Sequence, residues 1–68
     1  MTVVVNGDER EVAAGAVVAD LVARLDLKPE RVAVELNRRI LKRQQWGSTL
    51  LSEGDKVEIV HFVGGGEH

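Results

Sequence analysis

Apolar and polar positions change period several times along the chain, and each change marks an element. Thr2-Val3-Val4-Val5 is a short β-branched run that stops at Asn6-Gly7, the pair favoured at the centre of a two-residue hairpin turn because both positions need positive φ. A return strand is expected over residues 9–13, closed off by Gly15. From Val18 the period becomes helical: Val18, Leu21, Val22 and Leu25 share one face, and the Lys28-Pro29 step is expected to end the helix. Ala16 and Val17 offer no side-chain oxygen to its first free amides, so this end is expected to fray or lean on Asp20. Residues 31–36 alternate around Val32, Val34 and Leu36, as a half-buried strand does. Asn37-Arg38 reads as a turn, 39–41 as a short strand, 43–47 as a single helical turn or irregular crossover, and Ser52-Glu53-Gly54-Asp55 as a turn before a last strand over 57–63.

One helix has one apolar stripe, so it must lie on one face of the sheet. The result is a two-layer α+β domain, and the order and size of its elements suit a β-grasp, or ubiquitin-like, fold: a mixed sheet of about five strands with one main helix on one face. In the last strand Val57 and Ile59 share one face, expected to lie in the core, while Val60 and Phe62 share the other. With the helix on one side only, Val60 and Phe62 are expected to form an exposed apolar patch. Trp46, the lone tryptophan, is expected to plug one end of the core.

A chain of 68 residues is one small domain, burying only about 60% of the surface it exposes when unfolded. Its 44% apolar against 29% charged residues still place it with globular proteins. A net charge of −2 leaves no basic footprint for nucleic acid or an anionic membrane. The cluster Arg38, Arg39, Lys42 and Arg43 reads as a solvated face able to steer an acidic partner. Without cysteine there is no disulfide, no thiolate zinc site and no thiol on which this chain could carry sulfur. His61 and His68 make a poor metal pair, so no metal site is expected. Glu35, Asp55 and Glu58 form no acid/base pair, and no nucleophile stands beside a base, so no catalytic residue is assigned. No basic stretch followed by an apolar one opens the chain and no run is long enough to span a bilayer; a cytoplasmic location is the expectation.

The chemistry concentrates in Gly64-Gly65-Gly66. Glycines cannot pack or catalyse, but they are thin and conformationally free, which suits threading a terminal carboxylate into a narrow channel of another protein. No Gly-Lys-Ser or Gly-Lys-Thr follows, so the run is not a phosphate cradle.

Val34-Glu35-Leu36-Asn37, Gln45-Trp46, residues 53–60 (EGDKVEIV) and Phe62-Val63-Gly64-Gly65-Gly66, taken in that order, resemble the ThiS family of sulfur carriers in thiamine thiazole biosynthesis. The resemblance spans essentially the whole chain. It implies that Gly66 accepts first an adenylate and then sulfur as a thiocarboxylate, with Gly64 and Gly65 threading into the partner and Val60 and Phe62 docking against it. It implies three partners: a ThiF-like adenylating enzyme that uses ATP and magnesium, a persulfide sulfur donor, and a ThiG-like thiazole synthase. No cofactor is expected on this chain, which would act as a protein cosubstrate and not an enzyme. Family members end at the glycine, whereas Glu67 and His68 follow here and would block the carboxylate; they are expected to be a tag remnant, leaving 1–66 as the carrier domain with a flexible 64–66 tail. Two alternatives stay open: a molybdopterin-synthase small-subunit-like or other ubiquitin-like sulfur carrier, and a non-reacting β-grasp binding module.

Overall fold

The computed structural model describes residues 1–62. The first hairpin joins β1 (Thr2–Val5) to β2 (Asp8–Glu11) through Asn6 and Gly7, whose φ values of 49° and 87° are those the turn demands. A second tight turn, Asn37 and Arg38 at φ 51° and 73°, joins β3 (Val32–Leu36) to β4 (Arg39–Leu41). Helix α1 (Val18–Arg24) lies between the hairpins, and β5 (Lys56–His61) comes last. The sheet order is β2-β1-β5-β3-β4, with β5 parallel to β1 and antiparallel to β3. This is the expected mixed five-stranded β-grasp sheet, and the strand latest in sequence sits at its centre.

Alternation along the strands decides which residues enter the core. Val3 and Val5, Val32 and Val34, and Val57 and Ile59 are buried on one face of the sheet, against Val18, Leu21 and Val22 of α1. Val12, Leu51 and Trp46 close the margins; Trp46 is 4% exposed and its indole Nε1 donates to the Leu41 carbonyl at 3.1 Å, so its one polar atom is satisfied. Among the described residues no polar or charged side chain is buried.

Several element boundaries differ from those read in the sequence. β2 starts at Asp8 and ends at Glu11 because backbone pairing with β1 sets its limits, and its four exposed side chains give the burial pattern nothing to mark. The helix stops at Arg24, not at the Lys28-Pro29 step: Leu25 caps it and Asp26 turns left-handed at φ 60°. Pro29 instead opens a 3-10 turn, Pro29–Arg31, which delays β3 to Val32. The crossover at 43–47 is a 3-10 segment, Arg43–Ser48. At the helix start the Asp20 carboxylate accepts the Val17 amide at 2.9 Å, the support expected of that residue. β5 runs from Lys56 to His61, and Val63 lies outside the described residues.

Two asparagine side chains extend the ladder beyond the turns they occupy. Asn37 accepts the Lys56 amide on Oδ1 at 2.9 Å, pinning the start of β5 on its β3 side. Asn6 accepts the Ile59 amide at 2.7 Å and donates from Nδ2 to the Ile59 carbonyl at 3.1 Å, acting as one more residue of β1 after the β1 backbone has turned away.

At the far edge of the sheet Glu11 accepts a hydrogen bond from the Thr2 hydroxyl and lies 3.6 Å from the Met1 ammonium. The hydrogen bond first, and then the positive charge, hold its carboxyl below the usual carboxylate range. Because the folded-state value is the lower one, the interaction stabilises the fold above the unfolded-state pKa and is lost as pH falls through the folded one. Thr2→Val is therefore expected to raise the Glu11 midpoint in an NMR titration; an unmoved midpoint would assign the effect to the ammonium alone.

Candidate functional site

The described chain ends at the root of the glycine tail. There the Phe62 amide donates to the Arg31 carbonyl at 2.9 Å, one step beyond the Val32–His61 pair, so the β5–β3 ladder persists to the last described residue. On the sheet face opposite α1, Val60 pairs across to Ala33, and Phe62 stands next along the strand. Val60 is 55% and Phe62 58% exposed, so the apolar patch expected of this pair is present. It gives way along the same face to the cross-strand pair Glu35 and Glu58, with Lys56 and Arg38 beside them around a shallow polar depression. Two like charges placed opposite each other contribute nothing to pairing, which marks this face as one that solvent or a partner satisfies.

Phe62 also forms one wall of a groove of about 400 Å³ that runs past Pro29, Val32 and Leu41 to Arg43 and Trp46. The groove exists because β4 pairs only as far as Val34, leaving the first residues of β3 without a neighbour on that side. Arg43 thus stands near the patch, and the other cations of its cluster, Arg38, Arg39 and Lys42, lie along the β4 edge and the start of the crossover. Asp55 is a turn residue: its carboxylate accepts from the Ser52 amide at 2.7 Å and from Asn37 Nδ2 at 3.0 Å. It does not meet Glu35 and Glu58 in an enclosed site. His61 lies exposed on the opposite face from Phe62, and among the described residues no cluster of three metal-ligating side chains occurs.

The expectations for Gly64, Gly65 and Gly66, and for Glu67 and His68, concern positions outside the described residues. Among those described, the Asn6 bracket on β5 went unread in the sequence, where Asn6-Gly7 announced only a turn; so did the groove, whose walls come from three separate stretches of the chain. No helix among the described residues is long and apolar enough to cross a membrane.

Comparison with protein-family models matches the ThiS family over residues 3–66. The chain belongs to the ThiS family. A crystal structure of a thiamine biosynthesis protein, ThiS, from Geobacter metallireducens superposes with a TM-score of 0.83 at 38% identity, covering 97% of this chain and 100% of that one. The sulfur carrier protein ThiS of Escherichia coli is 29% identical over 66 residues, 97% of this chain and 100% of the relative. A thiazole synthase of Magnetococcus marinus is 40% identical over 68 residues, 100% of this chain but 21% of the relative, so the chain spans about a fifth of that protein's length.

Because the outward side chains of Val60 and Phe62 are more than half exposed, charge at either position is expected to leave a ThiS-family fold intact. Val60→Asp and Phe62→Asp should each change stability by no more than about 0.5 kcal/mol, the range of ordinary surface substitutions. Urea denaturation measures this, and a loss several times larger would show that the patch supports the fold.

Proposed function

We propose that this chain is a sulfur carrier for thiazole formation in thiamine biosynthesis, charged at Gly66 and acting as a protein cosubstrate, not as an enzyme. The observation that carries the reading is the family match over residues 3–66, which runs through the glycine that would be charged. The sheet geometry is consistent with it. The last described residue still hydrogen-bonds to the β3 side, so a tail rooted there would start from a strand held by the sheet.

A carboxylate with a pKa of about 3.5 is an anion at neutral pH and a poor acyl donor. In the proposed cycle an adenylating enzyme joins a Gly66 carboxylate to AMP, using ATP and magnesium that this chain does not hold, and releases pyrophosphate. A persulfide sulfur then attacks the activated carbonyl carbon and expels AMP, leaving an acyl disulfide. A second thiol attacks the donor-side sulfur of that bond; the donor and the thiol leave joined as a disulfide, and the pair of electrons stays on the thiocarboxylate. The chain's own contribution is presentation. Gly64 and Gly65 bring no side chain into the partner's channel, and Val60 and Phe62 supply an apolar surface against which the partner docks.

A protein named thiazole synthase carries, in 21% of its length, a segment similar to the whole of this chain, which supports a thiazole synthase as the recipient of the sulfur. Activation at Gly66 requires that the carboxyl be free of Glu67 and His68. A form ending at Gly66, incubated with a cognate adenylating enzyme, ATP, magnesium, a persulfide donor and a free thiol, should gain the mass expected for one oxygen replaced by sulfur. The form retaining Glu67 and His68 should not. Phe62→Asp in the shorter form should weaken binding to the adenylating enzyme by about tenfold or more, as loss of a buried aromatic anchor does. Intact-mass spectrometry and a binding titration read both. No thiocarboxylate on the Gly66 form with an active enzyme would falsify the carrier reading, and unchanged affinity would remove Phe62 from the interface.

A further inference from the structure

We propose that the edge of β5 beyond Asn6 is a strand-addition site: an extended segment of the protein that acts on the tail pairs its backbone with the N–H and C=O of His61. The inference rests on the carrier reading and says how the partner takes hold. It follows from the alternation of hydrogen bonds along β5. The Asn37 amide donates to Lys56 and the Phe62 amide to Arg31, so the even-numbered residues 56, 58, 60 and 62 point their backbone groups at β3. The odd-numbered ones point at β1: Asp55 accepts from Val4, Val57 accepts from Asn6, and Ile59 is met on both its N–H and its C=O by the Asn6 side chain. His61 is the next odd residue, and β1 has already turned away through Asn6 and Gly7. Its backbone donor and acceptor therefore face the line that β1 would occupy had it continued.

The other exposed edges differ in kind. β2 is Asp-Glu-Arg-Glu and exposed throughout, and β4 is three residues long, flanked by Arg38, Lys42 and Arg43; short length and charge are the ordinary protections against unwanted pairing. The part of β5 beyond Asn6, unpaired on this side among the described residues, has neither, and carries the exposed Val60 and Phe62. The covalent chain then limits where the occupant can be. Gly66 lies four residues past Phe62, so its carboxyl carbon stays within about 14 Å of Phe62 even when the chain is fully extended. A protein that encloses Gly66 is therefore brought within about 14 Å of the end of this edge. Strand addition supplies main-chain hydrogen bonds, and alternate side chains of the added strand would fall over Val60 and Phe62 on one face and beside His61 on the other.

The test is amide hydrogen exchange at His61 in the full chain, free and in complex with a cognate adenylating enzyme or thiazole synthase. Exchange should slow by about tenfold or more on binding, as for an amide moved from solvent into a ladder. In parallel, His61→Pro removes the outward N–H while leaving every bond to β3 in place, a substitution that an edge tolerates. It should lower affinity by about tenfold, whereas His61→Ala, which keeps the N–H, should bind as the parent does. If His61→Pro fails to fold, the exchange measurement on the unaltered chain still decides. A complex that forms while the His61 amide exchanges at its free rate overturns strand addition and leaves the carrier reading standing, since thiocarboxylate formation tests that separately. No complex with either enzyme, together with no thiocarboxylate, overturns both.

Discussion

β5 hydrogen-bonds to β1 on one side and to β3 on the other, and it is the strand that joins the two hairpins. Taken away, it would leave β1–β2 and β3–β4 as separate two-stranded ribbons, which are marginal in water. It also brings Val57 and Ile59 under the helix, so the same strand joins the sheet and completes the core. The pairing of Val4 with Lys56 links the two ends of the described chain, and the entropy of closing so long a loop must be met before this contact returns anything. The two asparagine brackets bear directly on that step. Each lengthens the pairing of β5 by hydrogen bonds that the turns at Asn6 and Asn37 would otherwise have ended.

The same arrangement separates folding from function in space. One face of the sheet is committed to the core beneath α1, and the opposite face is left with a patch of Val60 and Phe62 grading into Glu35, Glu58 and Lys56. No buried polar or charged side chain and no cluster of three metal-ligating side chains is found among the described residues. The groove from Phe62 to Trp46 and Arg43 adds a concave element to a surface that a partner can read by shape as well as by polarity.

Much of the fold was legible because local chemistry and burial agreed. Asn6-Gly7 marked a turn whose φ values only a few residue types adopt, and Val18, Leu21 and Val22 recur at helical spacing because they face the sheet. Val60 and Phe62 were legible as exposed by elimination, since one helix cannot cover two faces. The boundaries that moved lie where burial leaves no imprint: β2 has no buried side chain in the four residues that pair, and the helix ends at a left-handed Asp26 although Leu25 and Leu27 prolong the apolar pattern. The Asn6 bracket was illegible for a different reason. It joins residues 53 apart in sequence, and nothing in the neighbourhood of Asn6 shows which strand its amide will meet.

The central position of β5 also governs how the domain bears load. A force applied at Phe62 along the strand pulls on β5 along its own axis, in the direction in which the strand would slide between β1 and β3. Sliding loads the hydrogen bonds of both ladders together, whereas pulling on an edge strand at right angles to its axis would peel them apart one after another. The Asn6 bracket and the Phe62–Arg31 bond lie nearest the point where such a force enters. A domain built this way can be pulled from the end of β5 while the rest of the molecule stays folded behind it.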